Sequence, residues 1–245
     1  MSYRFFHAQP PEEAKFTLVG DQAHHAINVM RYGVGDRIVI FDGQGTEHDA
    51  EIESLTKKQL TARLLESRTL DRSLDRCVTM VVALPKGDRQ KFLIEKLVEL
   101  GVTNLIPLAT TRSVAEVKPK VIERIEKQVI ESSKQCERNF LMSVSPQISV
   151  SKLCEADSLS HLTDGKESTK LLAHPYDSSP LAALALEPDQ PVAICIGPEG
   201  GFDDAEVASL LDAGWQPTRL GPTILRVETA AIAAASIVGI GKLSD

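Results

Sequence analysis

Two short segments of this 245-residue chain carry residue types that could do chemistry together. The first is Gly197-Pro198-Glu199-Gly200-Gly201-Phe202, directly after the apolar run Ile194-Cys195-Ile196. Glycines let the main chain approach a ligand closely, and Glu199 sets a carboxylate within that backbone cradle. The second is Leu220-Gly221-Pro222-Thr223-Ile224-Leu225-Arg226-Val227-Glu228, another glycine loop followed by an arginine and a carboxylate. A carboxylate can take a proton as general base, and a guanidinium can stabilise charge developing on an oxygen. Arg226 is the candidate cation, and Glu228 or Glu199 the candidate base. Both features also have plainer explanations. A glycine loop can be a tight strand-to-helix turn, and a carboxylate in the first turn of a helix is favoured by the macrodipole alone. Neither GxGxxG nor GxxxxGK[ST] occurs in the chain, which argues against dinucleotide and ATP sites.

These loops need strands and helices to hold them, and the C-terminal two thirds of the chain has the right texture. Val78 to Leu84 is a continuous apolar run, the pattern of a strand buried on both faces. Asp88 is placed to cap a helix running to about Leu100, with Leu93, Leu97 and Leu100 on one face and Gly101 ending it. Asn104 to Ala109 reads as a strand. Pro119 opens a long helix whose inward stripe is Ile122, Ile125, Val129 and Cys136. Strands follow at Lys170 to Ala173 and Val192 to Ile196, then a helix from Asp203 to about Gly214 and an Ala-rich helix over about Glu228 to Gly239. Strands alternating with helices predict an α/β domain with a mostly parallel sheet. Residues 1–72 differ. They hold short alternating strands at Asp36 to Phe41, His48 to Leu55 and Gln59 to Ser67, with one helix at about Asp21 to Arg31. That segment predicts a small β-barrel-like domain, joined at the charged stretch Leu70 to Arg76 to a second domain over 73–245.

Composition narrows the classes. No apolar run approaches the roughly 20 residues that span a bilayer, and no secretory signal is visible at the N-terminus. Cys77, Cys136, Cys154 and Cys195 form no CxxC pair, so reduced thiols in a cytoplasmic protein are expected. His24-His25 has no third ligand nearby, and no metal site is expected. The net charge of −7 argues superficially against a nucleic-acid partner. Its distribution is uneven, since residues 86–138 carry 11 basic and 8 acidic side chains and residues 139–245 carry 6 and 14. A basic middle segment allows phosphate contacts without requiring them.

The two glycine loops together resemble the C-terminal signature of the SPOUT (trefoil-knot) RNA methyltransferases. More narrowly they resemble the RsmE-type enzymes, which methylate N3 of a uridine in small-subunit ribosomal RNA and carry IGPEGGF-like and LGxRILRxETA-like segments. Here the second segment has Thr223 where that family has arginine. Arg4-Phe5-Phe6 and His25 to Arg31 resemble the family's PUA-like N-terminal domain. Lys86-Gly87-Asp88-Arg89 with Glu95 to Val102, and Ser132 to Arg138, resemble its first βα unit and its long helix.

The resemblance implies a trefoil-knotted α/β methyltransferase domain after a small PUA-like β-barrel, assembled as a homodimer, with S-adenosyl-L-methionine as cofactor. It implies cofactor contacts from Leu172-Ala173-His174, Ile196-Gly197-Pro198 with Gly200, and Leu220-Gly221 with Ile224-Leu225. For ribosomal RNA, within a ribosomal particle, it nominates Arg4, Arg31, Lys86, Arg89, Gln135 and Arg138. With aromatic residues at only 4%, stacking on bases must be sparing and phosphate contacts should dominate. Two other readings stay open at this point: a SPOUT enzyme acting on a ribose 2′-hydroxyl, and a catalytically silent RNA-binding assembly factor.

Overall fold

The computed structural model describes residues 4–113, 116–163, 165–175, 178–187 and 189–239; the first three residues of the N-terminal stretch lie outside that description. The chain separates into two compact units. One comprises Met1–Ser73 with Ile130–Leu141, and the other Leu74–Val129 with Met142–Asp245.

The N-terminal unit contains β1 (Arg4–Phe6), β2 (Lys15–Val19), α1 (Gly20–His24), β3 (Arg37–Phe41), β4 (Thr46–Leu55) and β5 (Gln59–Thr69). They form a five-stranded sheet in the order β1-β3-β4-β5-β2, in which only β1 and β3 pair in parallel. Alternate residues point inward, as a one-sided core requires. Phe16 and Leu18 of β2 are buried while Lys15, Thr17 and Val19 are exposed. They pack with Phe5, Ile38, Ile40, Ala50, Ile52, Leu60 and Ala62 in one apolar cluster. The helix expected over Asp21 to Arg31 is shorter and less regular. α1 passes into a π-helical turn at His25–Val29, and Arg31 ends the segment with a left-handed φ of 57°. β1, at three residues, is too short to show a period in the sequence, whereas β2 does alternate over its five residues.

The C-terminal unit runs β6 (Val78–Val82), α2 (Asp88–Glu99), β7 (Asn104–Ala109), α3 (Pro119–Gln135), β8 (Ser143–Val144), β9 (Ile148–Ser149), α4 (Val150–Leu153), β10 (Thr169–Ala173), β11 (Ser179–Pro180), β12 (Val192–Ile196), α5 (Asp204–Asp212), β13 (Gln216–Arg219) and α6 (Val227–Gly239). The last six residues of α3 cluster with the N-terminal unit. The sheet order is β11-β13-β10-β12-β6-β7-β8, with β9 also on β7, and every pairing is parallel. β6 and β12 sit at its centre and are buried at every position. That explains their apolar runs, interrupted only at Thr79, which accepts a hydrogen bond from Asn104. α2 turns Leu93, Ile94, Leu97 and Val98 inward. In α3, Ile125 and Val129 are buried as expected, whereas Ile122 is half-buried, as is Cys136 just beyond the helix.

Between β12 and α5 the turn is fixed chemically. Asp203 accepts the Glu206 N–H while Glu206 accepts the Asp203 N–H, a capping box. α6 packs against α2, β6 and β12 through Ala230, Ala231, Ala234, Ala235 and Gly239. At Gly239 a Cβ would lie 2.9 Å from a Leu74 methyl, so a larger residue there would require Leu74 to shift.

Candidate active site

β13, β10 and β12 are neighbours in a parallel sheet, so their carboxyl ends emerge side by side. Ligands in open α/β sheets bind at that edge. A cavity of about 480 Å³ lies there. Ala173-His174-Pro175 beyond β10, residues 196–202 beyond β12, and Thr218, Leu220, Gly221 and Thr223-Ile224-Leu225 at the end of β13 line it. Val227 and Ala230 of α6, Asp204 of α5 and Arg112 complete the wall.

Ten of the eleven residues nominated for the cofactor line this cavity: Ala173, His174, Ile196, Gly197, Pro198, Gly200, Leu220, Gly221, Ile224 and Leu225. Leu172 does not. Its side chain is fully buried in the core, and its backbone lies in the ladder between Cys195 and Pro217. The glycines differ in what they permit. At Gly197 a Cβ would meet the Phe202 ring at 2.8 Å, whereas at Gly221 it would meet nothing within 4 Å. Gly197 therefore serves internal packing, and Gly221 keeps its stretch of cavity wall open.

Arg112 was not visible as a site residue in the sequence. It follows β7 in a loop, and its Nη1 donates to the carbonyls of Gly200 at 2.7 Å and Phe202 at 3.3 Å. The neighbouring Thr111 N–H donates to Glu206 Oε1 at 2.7 Å. The loop after β7 thus clamps the glycine loop and the capping box from outside. Carbonyl partners leave no sequence signal, so only its position beside a strand end could have hinted at this.

The nominated chemical groups gather unevenly. Glu199 lies on the cavity wall and accepts from Arg89 Nη1 at 2.7 Å. The same nitrogen is 4.0 Å from Glu228 Oε2, an atom with no hydrogen-bond partner on a side chain only 9% exposed. Glu199's own backbone N–H holds its carboxyl below the ordinary range against the opposing effect of burial, and the Arg89 guanidinium adds to the lowering. Arg226 is exposed, between Leu225 and Val227 of the wall.

Of the residues nominated for RNA, Arg31, Lys86, Arg89 and Gln135 are exposed. Arg4 and Arg138 are not, and burial takes both away from a surface role. Arg4 is 8% exposed, pairs with Glu47 at 2.6 Å and donates to Asn139. Arg138 is 6% exposed, donates from Nε to the Phe140 carbonyl, and is pushed down to about 10 by desolvation. Among the described residues, no group of three or more His, Cys, Asp or Glu is placed to hold a metal, and no helix is long and apolar enough to cross a membrane.

Comparison with known proteins agrees with this architecture. Residues 72–239 match the model of an RNA methyltransferase domain, and residues 18–65 that of an RNA methyltransferase PUA domain. The fold and site therefore define an RNA methyltransferase preceded by a PUA domain. The Synechocystis ribosomal RNA small subunit methyltransferase E is 33% identical, over 94% of this chain and 75% of that protein. A crystal structure of the Neisseria gonorrhoeae ribosomal RNA small subunit methyltransferase E bound to S-adenosyl methionine superposes with a TM-score of 0.83 at 28% identity, covering 96% of each chain. A Legionella pneumophila protein solved with bound SAM reaches 0.86 at 28% identity, covering 97% of each chain. The chain belongs to the ribosomal RNA small subunit methyltransferase E family.

Proposed function

We propose that this chain transfers the methyl group of S-adenosyl-L-methionine to N3 of a uridine in small-subunit ribosomal RNA. The observation that carries the reading is the cavity at the carboxyl ends of β13, β10 and β12, walled by both glycine loops.

The walls suit the cofactor. Ile196, Leu220, Ile224, Leu225 and Ala230 give apolar surface for an adenine ring, while Arg112, His174 and Asp204 offer polar groups for its charged tail. The open space at Gly221 lets a ligand touch main chain there. Bound there, the cofactor supplies an electrophilic sulfonium methyl. The remaining chemistry falls to the chain. Uridine N3 is a poor nucleophile while protonated, so a base must take that proton. Glu199, which lines the cavity, would take it, with Glu228 as the other candidate. Arg226 would stabilise the negative charge that spreads onto the flanking carbonyl oxygens. Arg31, Lys86 and Gln135 are the exposed polar groups offered to RNA, whose target base must leave its stack to reach the cavity.

The reading extends, by family resemblance, to a trefoil knot in the C-terminal unit, a homodimer, and action on a ribosomal particle in the cytoplasm. The small-residue stripe of α6 suits close helix packing, and four cysteines outside any disulfide suit a reducing compartment.

Incubation with labelled S-adenosylmethionine and small ribosomal subunits lacking the modification, followed by nuclease digestion and mass spectrometry, tests this. Label on N3 of one uridine is the expected result. Label on a ribose would overturn the base specificity, and no transfer to any rRNA would overturn the activity.

A further inference from the structure

Arg89 stands between two carboxylates of different character. Glu199 is 39% exposed and faces the cavity, while Glu228 is 9% exposed and lies in the first turn of α6. Arg89 itself is 44% exposed, and it sits on α2, an element that does not line the cavity. The buried Glu228 Oε2 has no hydrogen-bond donor, and among the described residues the Arg89 guanidinium, 4.0 Å away, is the cation within ion-pair distance of it. α2 and α6 pack together, which sets the stretch of α2 backbone from which that guanidinium reaches toward Glu228. A charge-assisted hydrogen bond of 2.7 Å then carries the position forward to Glu199.

We infer that Arg89 is a positioning residue of the methyl-transfer site: anchored by Glu228, it fixes the Glu199 carboxylate on the cavity wall for proton removal from the substrate base. This rests on the methyltransferase reading above. It also reassigns Arg89, whose exposure alone would suggest a phosphate contact. In the step itself the uridine N3–H bond breaks, its proton passes to a Glu199 oxygen, and the N3 electron pair forms the new bond to the methyl carbon as the carbon–sulfur bond breaks. Arg89 keeps its charge throughout. The other ionisable groups on this wall are Arg112, His174 and Asp204. Arg112 is engaged with the Gly200 and Phe202 carbonyls.

The test compares Arg89→Gln, Arg89→Lys, Glu199→Gln and the double variant R89Q/E199Q as full chains, using small ribosomal subunits as substrate. R89Q/E228Q is added so that a stranded buried carboxylate cannot by itself explain a loss. For R89Q we expect kcat to fall at least ~10-fold, since small misplacements of reacting groups cost up to about 100-fold. The KM for RNA should stay within about twofold. The acidic limb of the kcat–pH profile should move to higher pH, because Glu199 loses the cation that favours its ionised form. Arg89→Lys should recover part of kcat, R89Q/E228Q should remain slow, and R89Q/E199Q should be no slower than E199Q alone, as coupled residues require. A raised KM with kcat retained, and a salt dependence of RNA binding shallower by about 0.7–0.9 in log–log slope, would make Arg89 a phosphate contact and overturn the inference. Additive losses in the double variant would overturn it too. If the wild-type chain transfers no label to rRNA, the methyltransferase reading itself fails, and that result is separate from any of these.

Discussion

Each compact unit holds an arginine–glutamate pair of nearly the same length in opposite surroundings. In the N-terminal unit Arg4 and Glu47 meet at 2.6 Å with side chains 5% and 3% exposed. In the C-terminal unit Arg89 and Glu199 meet at 2.7 Å with 44% and 39% exposed. Glu47 is crowded by cations. Arg68 Nε lies 2.8 Å away and Arg72 Nη1 3.5 Å away. Burial pushes the Glu47 carboxyl up, but hydrogen bonds from Arg4 and Arg68 outweigh it and bring the group down to about 2. A charge locked away from water cannot be recruited by a substrate, so the first pair belongs to the fold. The second pair is half in water and faces a cavity, where its geometry can matter to a ligand. Ion-pair distance does not separate these roles; solvent and third partners do.

The largest effect should follow from breaking the buried pair. Glu47→Gln leaves Arg4 with no anionic partner behind 5% exposure, and loss of one member of a buried pair costs about 3–5 kcal/mol. Hydrogen exchange of β4 amides in the full chain should read that loss, and protection equal to wild type would show that the pair contributes little. The same group sets an acid limit. Its folded pKa of about 2 lies below the ordinary 4.5, so its stabilisation is complete above about pH 4.5. It drains away as pH falls from there toward about 2. The half-exposed pair of the other unit should leave no comparable trace on stability.

Next in size, Gly221→Leu should weaken cofactor binding at least ~100-fold, measured by calorimetry, with little change in thermal stability, because Gly221 lines the cavity and a Cβ there meets no protein atom within 4 Å. Unchanged affinity would mean the pocket is elsewhere. Arg226→Ala should leave cofactor affinity nearly intact and cut methylation by about 100-fold, the usual scale for losing an electrostatic stabiliser. Normal turnover would remove Arg226 from the chemistry. The smallest effect belongs to Arg63, which meets Glu51 and Glu53 at 3.4 Å on an open sheet face. Arg63→Ala should cost less than about 0.5 kcal/mol by chemical denaturation, and a larger cost would blur the contrast between buried and exposed pairs.

Much of the catalytic unit was legible because its central strands are buried on both faces and so spell themselves as apolar runs. Val78 to Val82 and Val192 to Ile196 are the clearest cases. β13 was missed for the opposite reason. Gln216-Pro217-Thr218-Arg219 carries no apolar run; its buried residue is the polar Thr218, 2% exposed, and the apolar anchor is the preceding Trp215, 1% exposed. Loop glycines pointed to the cavity because they mark where backbone must stay bare. Arg112 stayed hidden because its partners are carbonyls, which every residue has. Arg4 and Arg138 misled because a charged side chain is normally solvated, and only tertiary packing shows an arginine taken out of water.

The parallel pairing that builds the cavity also bears on how the molecule is made. β6 finds its partner β12 more than a hundred residues along the chain, at Val78 and Val192, and β13 joins through Leu171 and Gln216. Such long loops must close before any contact rewards them, which slows folding of parallel sheets. The cavity walls are therefore complete only once those distant segments have met, and a ligand held there binds the folded state alone. Under mass action it shifts the folding equilibrium, so abundant cofactor would act on this chain as a folding ligand as well as a reactant.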